Sequence, residues 1–239
     1  MDGAVGLQSY TYRKFSALAG LEQARQAGVT ALEVYPGHIG PDADDTTVEG
    51  FQAAAQKAGI RICGYGVISL GAGAEAHMRL AKRLGCEYVS IDVRPDDRQS
   101  LDQGLRLAEQ LGLKLGIHNH GPGHHYSTLD TVLAVLRGRP ERLGACVDTG
   151  HFLRAKQDPV AAIRELGPRV HAVHLKDFVD ERTEVMPGTG GLNMTAALAA
   201  LRDVGFSTAH VLEYEADADN PTPAVSQAVA AVRKALATL

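Results

Sequence analysis

Asp148, His174 and Glu213 close three consecutive β-type runs of this chain. The run before them ends in HNHGPGHH, which holds His118, His120, His124 and His125, four of only ten histidines. Imidazole and carboxylate are the donors that divalent cations of borderline hardness accept. One such residue on a strand is more often a structural histidine or a paired acid. Four successive runs, each delivering a ligand-type residue at its end, form a stronger pattern. Buried charges without partners are expensive, so groups that converge in this way call for water or a cation. The competing reading is a wet rim of satisfied ion pairs. A metal holds Asp148, His174, Glu213 and one more group economically, with open positions left for water or substrate.

The elements that must position these residues alternate between short β-type runs and helical ones. The β-type runs cover 4–10, 31–36, 61–70, 88–93, 113–120, 143–150, 170–178 and 209–215. Most are bounded by glycine, proline or charge. The helical runs have readable ends. One starts on Ser16 and stops at Gly28. Another begins with a capping box of Ser127 and Asp130 and stops at Gly138. A third has Asp158 as cap, Pro159 at the first helical position and Gly167 at its end. Strand–helix alternation means parallel strands with helices outside. Eight such units in 239 residues predict an α/β fold, a (β/α)8 TIM barrel over residues 1–239 as a single domain. An open doubly wound sheet is the alternative, but LQSYTYRKF after the first strand lacks the glycine-rich phosphate loop of that fold.

In a barrel strand alternate side chains point inward. Pairing small or polar residues at period two aims Gly116, His118 and His120 inward, then Gly144, Cys146 and Asp148, then Ala172, His174 and Lys176. The same rule turns Ala209, Val211 and Glu213 inward, with Glu33 and Tyr35, Ser90, Asp92 and Arg94, and Gln8 and Tyr10 on earlier strands. The polar members cluster toward the C-terminal strand ends, where barrel active sites lie.

Bulk composition removes other classes. Hydrophobic residues make up 45%, enough for a substantial core. With 28 acidic and 24 basic residues the net charge is −4, which gives no support for nucleic acid as partner. No tryptophan and 5% aromatics argue against a stacking platform for single strands. No apolar run has the roughly 20 residues that span a bilayer, so no membrane partner is expected. The opening MDGAVGLQ lacks the features of a signal peptide, which makes a cytoplasmic location the expectation. Cys63, Cys86 and Cys146 read as buried reduced thiols rather than a disulfide framework.

The segments DTGH (148–151), VHLKD (173–177), LEYE (212–215) and HNHGP (118–122) resemble the sugar phosphate isomerase/epimerase family of xylose-isomerase-like TIM barrels. GLQSYTYRKF and GVTALEVYPG fall where that family's first two strands lie, so the likeness runs nearly the whole chain. The resemblance implies a divalent metal at the barrel mouth. It maps metal ligands onto Asp148, His174 and Glu213, a substrate-facing histidine onto His151, and the second-strand glutamate onto Glu33 as a substrate contact. Mn2+ is the first choice of ion, with Mg2+, Co2+, Zn2+ and Fe2+ as alternatives. Many family members carry a glutamate at the end of the fifth strand. Here His118 stands there and becomes the fourth ligand, with His120 as second choice or substrate contact.

The implied chemistry is isomerisation or epimerisation of a ketose or keto-sugar through an enediolate. Glu213, His151 and Lys176 are the catalytic candidates, Lys176 only if its pKa is lowered. Tyr10 and Arg94 are candidate substrate contacts, Arg94 for a carboxylate or phosphate. Because His118 replaces a base, a lyase acting by β-elimination on an inosose, 3-keto-sugar or glycoside is the main alternative, and a non-catalytic sugar-binding barrel comes third. Family barrels often pair, so a homodimer is an expected assembly. His124 and His125 belong to a loop facing substrate or solvent, and MPGTGGLN (186–193) reads as a lid, an anion loop or a plain connection.

Overall fold

The computed structural model describes residues 3–239. Eight parallel strands close into a barrel: β1 (Val5–Gln8), β2 (Ala31–Val34), β3 (Arg61–Ser69), β4 (Tyr88–Asp92), β5 (Lys114–His118), β6 (Leu143–Asp148), β7 (Val170–Leu175) and β10 (His210–Leu212). β8 (Asp177–Phe178) and β9 (Glu184–Val185) form a small antiparallel hairpin between the last two staves. Each strand pairs with its sequence neighbour, and β10 closes on β1 through Val5, Gly6 and Leu7. The chain is therefore a (β/α)8 barrel with its helices outside.

Helices α1 (Ala17–Gln26), α2 (Asp45–Lys57), α3 (Ala74–Arg83), α4 (Arg98–Leu111), α5 (Leu129–Leu136), α6 (Thr149–Arg154), α7 (Pro159–Leu166), α8 (Met194–Asp203) and α9 (Thr222–Leu236) complete the ring. Ser16 caps α1 by accepting the Ala19 amide, and Asp158 caps α7 ahead of Pro159, as their sequence positions require. At α5 the cap lies one residue later than expected. Thr128 and Thr131 reciprocate, each side chain taking the other's backbone N–H, so Ser127 and Asp130 are not the capping pair.

Two apolar layers follow from strand alternation. Leu7, Leu32, Val89, Ile91, Leu115, Ile117, Val147, Val173 and Leu175 face the helices in one large cluster. The lumen holds a smaller cluster of Ala31, Cys63, Tyr88, Cys146, Ala172, Ala209 and Val211. Space there is tight. A Cβ at Gly64 would collide with the Tyr88 ring. Small lumen residues fill the floor, and polar groups collect above them. All three cysteines are buried and free.

All eight barrel strands end one to three residues before the β-type runs do. β6 stops at Asp148 because its carboxylate caps α6 by accepting the His151 amide at 2.7 Å. β1 gives way to a 3-10 turn over Ser9–Tyr12, and β10 stops at Leu212, just before Glu213. The glycine-rich stretch 186–193 is neither lid nor free anion loop. It wraps the buried Asp177 carboxylate, which accepts N–H groups from Phe178 (2.9 Å), Gly188 (2.9 Å), Gly190 (2.8 Å) and Leu192 (2.9 Å). The anion that this loop binds is its own side chain. Asp177→Ala leaves those N–H groups without their acceptor and is expected to lower the unfolding free energy by about 3 kcal/mol in urea titrations. A change under about 0.5 kcal/mol, the range of ordinary surface substitutions, would show that the loop is anchored by other contacts.

Candidate active site at the barrel mouth

The C-terminal ends of four neighbouring staves bring His118, Asp148, His174 and Glu213 together. One donor atom from each lies within 4.8 Å of all the others, and all four residues are buried. His118 Nε2 is 3.1 Å from His174 Nδ1 and 3.7 Å from Asp148 Oδ2, and His174 Nδ1 is 3.5 Å from Glu213 Oε2. The register explains the convergence, since His118 lies opposite Cys146, and Asp148 opposite His174.

Each side chain is held differently. His174 Nε2 lies 2.9 Å from Glu33 Oε2, deep in the lumen. Glu33 also accepts the hydroxyls of Tyr88 (2.7 Å) and Ser90. A carboxylate facing Nε2 keeps a proton there and turns Nδ1 toward the cluster. Burial opposes charge on this ring, but Cys146, Glu33 and Glu213 hold its pKa well above the usual imidazole range, so a cation at Nδ1 would take the place of a proton. Asn119 clasps the Asp148 backbone from both sides, accepting its N–H at 2.8 Å and donating to its carbonyl at 2.9 Å. One Asp148 oxygen caps α6, while the other, Oδ2, is buried with no hydrogen bond. His118 is the least restrained, with a buried Nδ1 that has no partner.

The electrostatics are those of a crowded, dry site. Burial pushes the Asp148 carboxyl up to about 8, against the pull of Lys176. Burial also opposes charge on Glu213, but the Lys176 ammonium and His174 hold it well below the carboxylate range. His118 is pushed well below the usual imidazole range by burial and by His174 and His120, and His151 falls to about 2 through burial and Lys176. Both are neutral at pH 7. Lys176 departs from expectation. Burial opposes its charge, yet Glu213, Asp148, Glu215 and Glu184 raise its pKa, so it stands as an ammonium and not as a base.

Two imidazoles, the unpartnered Asp148 oxygen and the ionised Glu213 fit a dication that would take the place of the protons on His174 and Asp148, with metal–ligand bonds of roughly 2.0–2.2 Å. Cys146 also reaches the two imidazoles, but burial raises its thiol pKa and keeps it protonated, which leaves the carboxylates as the better donors.

A cavity of about 360 Å3 opens directly above, walled by Gln8, Tyr10, Tyr35, His120, His151 and Glu215 with His118 and Glu213 beneath. Tyr10, His120 and His151 therefore reach it. His151 Nδ1 lies 3.2 Å from Arg154 Nη1, which places the imidazole proton on Nε2. Lys176 borders an adjoining hollow with Arg154 and Glu184. Glu33 does not reach the cavity. It is wholly buried under His174, whose Nε2 it meets at 2.9 Å. Arg94 is also outside, an exposed side chain bidentate with Asp96 at 3.0 Å. His124 and His125 both face Asp92.

Sequence reasoning missed Asn119, Arg154 and Glu184. Asn119 lay hidden between two histidines. Arg154 is three residues beyond His151, one helical turn away, and that spacing was a usable signal. Glu184 reaches Lys176 only through the hairpin, which leaves no mark in the strand periodicity.

Residues 21–235 match the family model of the xylose isomerase-like TIM barrel. Rhizopine catabolism protein MocC of Rhizobium meliloti is 29% identical over 144 residues, which cover 53% of this chain and 44% of that protein. An inosose dehydratase of Mesomycoplasma hyopneumoniae is 32% identical over 88 residues, which cover 35% and 29%. The match thus spans less than half the length of these curated relatives. The crystal structure of the IOLI protein with a bound zinc atom superposes with a TM-score of 0.72 over 98% of this chain and 97% of that one, at 17% identity, a likeness of fold. Among the described residues no helix is long and apolar enough to cross a membrane. The family match covers seven of the eight staves and the four strand ends that meet at the mouth, and the chain belongs to the xylose isomerase-like TIM barrel family.

Proposed function

We propose that this barrel is a divalent-metal-dependent enzyme that removes the proton beside the carbonyl of a ketose or keto-sugar. That step is shared by isomerisation, epimerisation and β-elimination. The observation that carries the reading is the convergence of His118, Asp148, His174 and Glu213 beneath an open cavity, with Asp148 Oδ2 buried and unpartnered. A cation held by those four residues supplies Lewis-acid polarisation of a carbonyl and tolerance for negative charge on its oxygen. Manganese is the first candidate; elemental analysis of the purified protein identifies the ion.

The chain's own groups divide the remaining work. Glu213, ionised and bordering the cavity, removes the proton. His151 presents its Nε2–H as a neutral donor to a substrate hydroxyl or carbonyl oxygen. Lys176, 3.4 Å from Glu213, stabilises the carboxylate and is the nearest ammonium donor. Tyr10 and His120 shape the wall that receives the polyol. Soluble ketoses, inososes and 3-keto-glycosides are the substrate class that suits a polar cavity of this size.

β-Elimination draws support from one specific feature. A two-base epimerase needs a second proton-transfer group facing Glu213. The position that would provide it holds His118, a buried neutral imidazole within the donor cluster. Donors crowd beside Glu213 instead, as elimination of a hydroxyl or alkoxide requires. The inosose dehydratase name borne by one relative agrees with this branch.

Two measurements test the proposal. The metal-loaded protein is incubated in deuterated water with ketoses, inososes and 3-keto-glycosides. Deuterium uptake with an intact skeleton identifies isomerase or epimerase, loss of water or of a substituent identifies lyase, and no exchange with any of them refutes the reading. Glu213→Gln should keep the fold and lower turnover by about 10²–10⁴-fold, the usual share of a general base. Separately, Glu33→Gln should weaken metal affinity about 10–100-fold in chelator competition, because His174 loses the carboxylate that orients it. Unchanged affinity would remove Glu33 from that role.

A further inference from the structure

The loop after β5 carries a second group of ligand-type side chains that the mouth chemistry leaves unused. Asp92 ends β4, and His124 and His125 reach it from the loop over residues 119–128. His125 Nε2 is 3.0 Å from Asp92 Oδ1, and His124 Nε2 is 3.6 Å from Asp92 Oδ2. One donor atom from each of the three lies within 4.8 Å of the others, and all three residues are half-buried. The two imidazole rings are 3.9 Å apart. We propose that Asp92, His124 and His125 form a second divalent-metal site, distinct from the mouth cluster, that clips the β5 loop to the end of β4.

Two imidazoles and one carboxylate, with positions left open to solvent, form a nitrogen-rich set that favours Zn2+, Co2+ or Ni2+ over Mg2+ or Ca2+. The existing hydrogen bonds use the cluster incompletely. A single carboxylate faces two adjacent rings, so it cannot serve both imidazoles at close range: His125 Nε2 takes the 3.0 Å place and His124 Nε2 stands off at 3.6 Å. The Tyr126 amide reaches His124 Nδ1 at 3.3 Å, a long contact that gives way to a proton on Nδ1 when Nε2 takes a metal. The clip has a structural purpose. Tyr126, wholly buried in the core, anchors the far end of the loop, but Gly121, Pro122 and Gly123 give its near arm no large apolar side chain, and the His120 ring packs at 4.2 Å on His124 while it also lines the cavity. Fixing His124 therefore fixes one wall of the mouth.

The test is equilibrium dialysis of chelator-stripped protein against Zn2+ and against Co2+, with bound metal counted per chain. Wild type is expected to bind two equivalents. The His124→Ala/His125→Ala double variant should lose one and keep the other, and Asp148→Ala should lose the complementary one. Asp92→Asn, which removes no bulk, should repeat the loss seen in the double variant. Circular dichroism confirms that each variant is folded. Wild-type stoichiometry in the loop variants overturns the proposal. A single wild-type equivalent that only Asp148→Ala abolishes also overturns it while leaving the mouth site standing. A single equivalent lost only in the loop variants supports the clip and refutes the mouth site.

Discussion

The Asp148 carboxylate is cut off from water, and the rest of the mouth is organised around that fact. Desolvation of a charge costs several kcal/mol even after relaxation, and burial pushes this carboxyl up to about 8, so a proton holds the place that a cation would take. Asp148 has three kinds of support. The His151 amide takes one oxygen, Asn119 fixes its backbone, and Lys176 lies close enough to pull its pKa down against burial. The second oxygen has none. An arrangement that goes to such lengths to hold a carboxylate and then leaves one lone pair bare is better suited to a ligand that arrives later than to a finished ion-pair network.

The same constraint makes sense of residues further away. Glu33 sits a layer below, inside the lumen, where its charge is shared among Tyr88, Ser90 and His174. Its effect at the surface is carried by one ring. Lys176 and its carboxylate neighbours sit at the side. Their mutual attraction keeps the lysine charged and Glu213 ionised, so the dry site holds opposite charges in near balance instead of a single uncompensated sign. The small residues of the lumen matter too, since Ala31, Cys63, Cys146, Ala172 and Ala209 under the mouth leave room for the long side chains above them.

Much of this was legible in the chain. Strand–helix alternation named the barrel, and period two aimed His118, Asp148, His174 and Glu213 at a common point, because parity along a strand is fixed by the pleat. What failed was whatever depends on depth and not parity. Glu33 and Arg94 share inward parity with the donors, but one lies a layer too deep and the other lies past the strand end, in solvent. Strand ends were also misjudged where a side chain competes with the ladder for backbone, as at Asp148, where the cap of α6 stops the strand. The hairpin and the loop around Asp177 were unreadable because their order comes from one carboxylate gathering amides that are distant in sequence.

His118 differs from its three companions in having no attachment outside the cluster: its Nε2 meets His174 and Asp148, and its Nδ1 has no partner. Asp148 starts a helix, His174 is tethered to a buried acid, and Glu213 is paired with a lysine, whereas His118 hangs from its strand with a ring nitrogen unclaimed. Exchanging Asp148, His174 or Glu213 therefore disturbs groups beyond the cluster, whereas exchanging His118 disturbs the cluster itself and the imidazoles around it. The fifth stave is thus the one donor position whose replacement leaves the helix cap, the buried acid and the lysine pair of the site in place.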